Sequence, residues 1–121
     1  MRAKVFTHEG NDPMRYLMTQ IPAATAPAPD EKLFADMAAF VEELTVAGQL
    51  LATGGLAPAG VRMASRDGEI TVVDGPFTEA KEVAGGFALV EVASKEEMLE
   101  LARRFRLIVG DGVSVIQQVF G

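Results

Sequence analysis

The segment from Asp30 to Gly48 spells out both ends and the buried face of a helix. Asp30, directly after Pro29, is an N-cap, because a short carboxylate accepts amide hydrogens that the first turn leaves unpaired. Glu31 adds negative charge at the positive end of the helix dipole. Leu33, Met37, Phe40, Val41 and Leu44 recur at helical spacing and share one face, and Gly48 supplies a left-handed stop. A second segment repeats the signature. Ser94 with Glu97 forms a capping box, and Met98, Leu101, Ala102 and Phe105 follow on one face. Each helix lies between strand-patterned runs, so each apolar face is expected to pack on a sheet.

The strand pattern begins at residues 2–8, where Ala3, Val5 and Thr7 alternate with Lys4, Phe6 and His8. A polar loop, Glu9 to Pro13, follows. Met14 to Thr19 is compatible with a helical turn and is assigned no strand. Ile21 to Pro29 reads as an extended surface loop, because Pro22, Pro27 and Pro29 each remove a backbone donor. Gln49 to Thr53 is extended again, and Gly54-Gly55 suits a turn or bulge. Val61 to Ser65 and Ile70 to Val73 flank Arg66-Asp67-Gly68-Glu69, and Asp-Gly between apolar runs signals a hairpin. Gly85-Gly86, which suits a close backbone approach or a bulge, leads into the buried strand Phe87 to Val92. Val113 to Phe120 alternates to the end. The order β, α, β, hairpin, β, α, β predicts an α+β fold, a ferredoxin-like βαββαβ sheet with an inserted β-hairpin, in a single domain over 1–121.

Two helices cover only one face of such a sheet. Phe87 and Ala88, Leu89 and Val90, and Val115 and Ile116 are apolar on both faces, as are Val5 and Phe6. With 49% of residues hydrophobic, that surplus predicts a homodimer through the sheet faces. A formal net charge of −6 argues against nucleic acid, whose non-specific binding is driven by cations. The tightest basic group, Arg103, Arg104 and Arg106, sits at a helix C-terminus, where cations meet the negative dipole end. No apolar run approaches the ~20 residues of a membrane span, and no secretory signal is evident, so no membrane association and a cytoplasmic location are expected.

The chemical inventory is thin. There is no cysteine, and His8 is the one histidine. His8 and Glu9 with Asp12 do not make a metal-ligand pattern, so no metal and no cofactor are expected. Gly54-Gly55 and Gly85-Gly86 match neither phosphate-loop pattern. The methionines at 14, 18, 37, 63 and 98 read mostly as core fillers, with Met14 and Met18 able to line an adaptable pocket. The densest stretch of turn chemistry and charge is Val73 to Phe87. There Asp74, Gly75 and Pro76 turn the chain, Phe77 anchors the loop, and Glu79, Lys81 and Glu82 cluster beside it.

On these residues the chain resembles the YCII-related proteins of the DGPF type. The resemblance rests on Gly54-Gly55-Leu56-Ala57-Pro58, Asp74-Gly75-Pro76-Phe77, Glu79-Ala80-Lys81-Glu82 and Gly85-Gly86-Phe87. The helix ending Glu42-Glu43-Leu44 before Ala47-Gly48 also looks like the family's first helix, so nearly the whole chain is covered. The resemblance implies a dimeric α+β barrel, bacterial origin and a family largely without assigned activity. It directs attention to a small-molecule cleft near the loop, with Asp74, Pro76, Phe77, Glu79, Lys81 and Glu82 as ligand-binding candidates. Some relatives are thought to use a His–Asp pair, and one is regarded as a dehydrochlorinase of a chlorinated hydroxyquinol. Asp74 matches the Asp, but the helix position of the His is Met37, which cannot transfer a proton. The alternative function is therefore a cofactor-independent acid–base lyase on a small phenolic substrate, with His8 as replacement base beside Asp74. Relatives joined to sigma-factor-like proteins imply a third reading, a regulatory module.

Overall fold

A computed structural model describes residues 12–24, 28–74 and 84–121 of the chain. The elements in order are β1 (Met14–Pro22), α1 (Glu31–Val46), β2 (Leu50–Gly55), β3 (Val61–Arg66), β4 (Glu69–Asp74), β5 (Gly86–Val92), α2 (Lys95–Val109) and β6 (Gly112–Val119). Four strands form one antiparallel sheet in the order β2-β5-β1-β6, and β3 with β4 forms a separate hairpin. Each helix joins two strands that are not neighbours, leaving a gap that a strand of the other half fills. This is the ferredoxin-like arrangement the element order predicted, with the hairpin inserted between β2 and β5.

The strand expected at residues 2–8 lies outside the described residues. The first described strand is instead β1, over residues read as a helical turn and the start of a proline-rich loop. The reason is position in the sheet. β1 is central, paired to β5 and β6, and Tyr16, Leu17 and Met18 form an apolar run without the alternation that marks a half-exposed strand. Pro22 is tolerated because it is the last residue of the strand. Gly54 and Gly55 do not make a turn; they continue β2, and the register irregularity falls between Leu50 and Ala52. Both glycines of the second pair do serve close approach. A Cβ on Gly86 would stand 3.2 Å from the Gly54 carbonyl, and one on Gly85 3.2 Å from the Pro22 ring.

Both N-cap bonds form, but the reciprocal half of the capping box does not, because the Glu97 carboxylate accepts from Gln49 Nε2 at 2.8 Å instead. The Leu33 amide donates to Asp30 Oδ1 at 2.8 Å and the Glu97 amide to Ser94 Oγ at 3.1 Å. Capping at one such site stabilises a helix by about 1 kcal/mol. α1 closes on the Gln49 amide donating to the Leu44 carbonyl, past Gly48. In the hairpin, Asp67 at φ +50° and Gly68 at φ +81° make the turn whose twist matches paired strands.

The core lies between the helices and one sheet face. Tyr16, Met18, Val90 and Val92 meet Phe40 and Leu44 of α1 and Met98, Leu101 and Ala102 of α2. Met98 is the most deeply buried large side chain, at 1% exposure. Burial raises the Tyr16 phenol pKa, with Glu96 adding to the effect. The helices are also tied at the surface, where Arg104 donates to both Glu43 carboxylate oxygens at 2.7 Å. The same guanidinium lies 4.8 Å from the centre of the Phe40 ring. Arg104 thus bridges two helices instead of only decorating a helix end. On the opposite sheet face the register aligns Leu17 with Leu89, Thr19 with Val115 and Ile21 with Val113, bounded by an Arg15–Glu91 ion pair at 2.9 Å. No described helix covers that face.

The hairpin is different in kind. All residues of β3 and β4 are exposed. Its register gathers Val61, Met63, Ile70 and Val72 on one side and Arg62, Arg66, Glu69 and Thr71 on the other. Met63, expected as core filling, is 66% exposed because its strand stands off the body.

Candidate ligand cavity

Between α1 and the β2–β5 half of the sheet the core leaves a cavity of about 630 Å³. Helical spacing brings Phe34, Met37, Phe40, Val41 and Leu44 to its α1 wall. Met98, Leu101 and Phe105 of α2 close the base. The sheet supplies Met18 and Gln20 from β1, Leu50 and Thr53 from β2, and Ala88 and Val90 from β5. The glycine pairs Gly54-Gly55 and Gly85-Gly86 border it, where the lack of side chains keeps the space open. The volume lies within the range of small-molecule sites. Three methionines on separate elements, Met18, Met37 and Met98, give walls that adapt to shape.

Among the described lining residues, only Gln20 and Thr53 carry polar side chains. The Thr53 hydroxyl donates to the Phe87 carbonyl at 2.9 Å and so offers the cavity lone pairs alone. Gln20 is held by Arg106, whose Nη1 donates to Gln20 Oε1 at 3.0 Å and to Ser114 Oγ at 3.3 Å. Arg106 Nη2 donates to the Gly110 carbonyl at 3.0 Å, capping the end of α2. The Arg106 Nε is buried without a hydrogen-bond partner. No described carboxylate forms an ion pair with this guanidinium. Burial lowers the Arg106 pKa, and the negative charge of Asp111 partly opposes that.

The residues singled out from sequence fall elsewhere. Asp74 is the last residue of β4, exposed, and does not line the cavity. His8, Pro76, Phe77, Glu79, Lys81 and Glu82 lie outside the described residues. Met37, the position where a proton-transferring histidine was sought, does line the cavity. Of the two methionines able to line a pocket, Met18 does so while also belonging to the core, whereas Met14 only packs against the core. Gln20 and Arg106 were missed as a pair. The signal for Gln20 is its register, as the polar residue that follows Met14, Tyr16 and Met18 on the helix-facing side of β1. It becomes legible only once β1 is placed. Among the described residues no three His, Asp or Glu side chains converge as metal ligands, and no helix is long and apolar enough to cross a membrane.

Comparison with known proteins agrees with this architecture. A curated protein from Rhizobium meliloti (strain 1021), described as uncharacterized protein R00369, is 38% identical over 76 residues. That match spans 61% of this chain and 61% of the relative. The model of the YCII-related domain matches residues 14–119, from the start of β1 to the end of β6. The chain therefore belongs to the YCII-related domain family.

Proposed function

We propose that this protein binds a small, largely apolar molecule in the cavity between α1 and the sheet. The observation that carries the reading is the cavity itself: about 630 Å³ with two polar side chains in its described lining. A well-packed core of this size leaves few voids larger than a water molecule, so a space of that volume asks for an occupant. We further propose assembly as a homodimer through the open sheet face, supported by Leu17, Leu89, Val113 and Val115 on a surface that no described helix covers. The stretch Asp74-Gly75-Pro76-Phe77 supports placing the chain in the DGPF-type branch of its family. Ligand binding is favoured over acid–base catalysis because Asp74 stands on the hairpin, apart from the cavity wall.

The test is titration with an environment-sensitive naphthalene dye, comparing the natural protein with Ala88→Phe. Ala88 faces the cavity from β5, and a benzyl group there occupies ligand space. Saturable binding at one dye per chain, lost in Ala88→Phe with the far-ultraviolet circular dichroism retained, is the expected result. Equal binding by both proteins would refute the assignment of the site. A monomeric mass in solution at micromolar concentration would refute the dimer.

A further inference from the structure

We infer that the cavity selects molecules whose apolar body ends in a carboxylate, received at Gln20. This rests on the cavity being the binding site and adds the chemistry of its one polar end. A guanidinium carries donors only, so the Gln20 atom facing Arg106 must be the amide oxygen. That contact fixes the orientation of an amide that would otherwise be free to flip. It leaves the Gln20 Nε2 group turned away from Arg106, with no partner among the described residues. The other polar side chain in the described lining, Thr53, has already committed its proton to the Phe87 carbonyl. The side chains thus present a lone amide donor at the Gln20 end of a hydrophobic chamber.

Sign of charge follows from what lies behind that donor. Arg106 stays protonated even when burial lowers its pKa. Its Nε is buried without a partner, and no described carboxylate pairs with it. A cation donating to the amide oxygen polarises the amide and strengthens its N–H donors. A neutral acceptor gains from the donor alone, whereas an anion also gains from the guanidinium charge one side chain further back, which no described ion pair neutralises and Asp111 only partly offsets. The site is built, because Gly112 makes room for the guanidinium. A Cβ there would lie 2.9 Å from Arg106 Nη2.

The experiment is calorimetric titration of the full chain with decanoate and, as the matched uncharged probe, decanol. The natural protein should bind decanoate at least about tenfold more tightly than decanol, the difference a hydrogen bond to a charged group makes. Gln20→Glu keeps a partner for Arg106 but replaces the donor with an anion, so the preference should invert. Gln20→Leu removes the donor without adding charge, and the two probes should then bind within about threefold of each other. Tight decanol binding without a decanoate preference in the natural protein would overturn the inference and leave the cavity assignment standing. Failure of both probes to bind would overturn the two together. A decanoate preference that survives in both variants would place the carboxylate elsewhere and equally overturn it.

Discussion

Replacing Gly112 by alanine tests whether the β1–β6 edge and the Arg106 hub are packed as tightly as their geometry requires. Gly112 has φ of +148°, a conformation that L side chains rarely adopt. Holding alanine there costs of order 1–3 kcal/mol. The added methyl would also meet the Ile21 carbonyl at 2.7 Å and Arg106 Nη2 at 2.9 Å. The second neighbour is a side-chain tip that can move, at the expense of its bonds to Gln20, Ser114 and Gly110. The first is backbone in a ladder and cannot move without disturbing the pairing of β1 with β6. Overpacking of this kind adds about 1–3 kcal/mol. Gly112 with Pro22 is the last pair of the ladder, so some strain escapes by fraying, and the expected total is about 2–4 kcal/mol. With a urea dependence of about 2 kcal/mol/M, the middle of the range for a small protein, the unfolding midpoint should fall by about 1–2 M. Gly60→Ala is the control, since nothing lies within 4 Å of its Cβ position. It should stay within about 0.5 kcal/mol of the natural protein. A Gly112→Ala protein that unfolds within that same margin would refute the reasoning.

Three further outcomes follow from named contacts. Met98→Ala should destabilise by about 2–3 kcal/mol, the lower part of the range for such truncations, because the space it leaves joins an existing cavity; urea unfolding measures it. Asp30→Ala removes the bond to the Leu33 amide and should cost about 1 kcal/mol, read from the same curves, with Asp30→Asn restoring most of it. Glu43→Gln addresses pH. The hydrogen bonds from Arg104 hold the Glu43 carboxyl below its ordinary value, so its contribution is present above the usual carboxylate range and is lost as pH falls through the folded value. Melting temperatures of the natural protein and Glu43→Gln should therefore differ at neutral pH and converge in acid. A difference that persists unchanged in acid would assign the effect to something other than this ion pair.

What could be read in advance tracks which signals are local. The two helices were legible because Asp30 and Ser94 cap them and their apolar residues repeat at short range. The hairpin was legible because Asp67-Gly68 writes its turn in adjacent letters. β1 was not, because a central strand owes its identity to neighbours far along the chain, β5 and β6. Residues 2–8 alternate more cleanly than β1 does, so the period-two signal points to them and passes over the central strand. The cavity depends on how helix α1 sits over β2 and β5, and no spacing in the sequence encodes that distance. Gln20 and Arg106 are 86 positions apart, beyond the reach of any motif.

The hairpin gives the molecule two stabilities instead of one. A two-stranded ribbon exposed along both strands has little buried surface to hold it, and such ribbons are marginal alone in water. The four-stranded body has a continuous core beneath two helices and opens only when that core is lost. In the single chain, amide hydrogens of β3 and β4 should therefore exchange long before those of β1 and β5. A protease would cut first at the Asp67-Gly68 tip. The inserted ribbon is thus a part that can open, be clipped or be remodelled while the sheet and its cavity keep their shape.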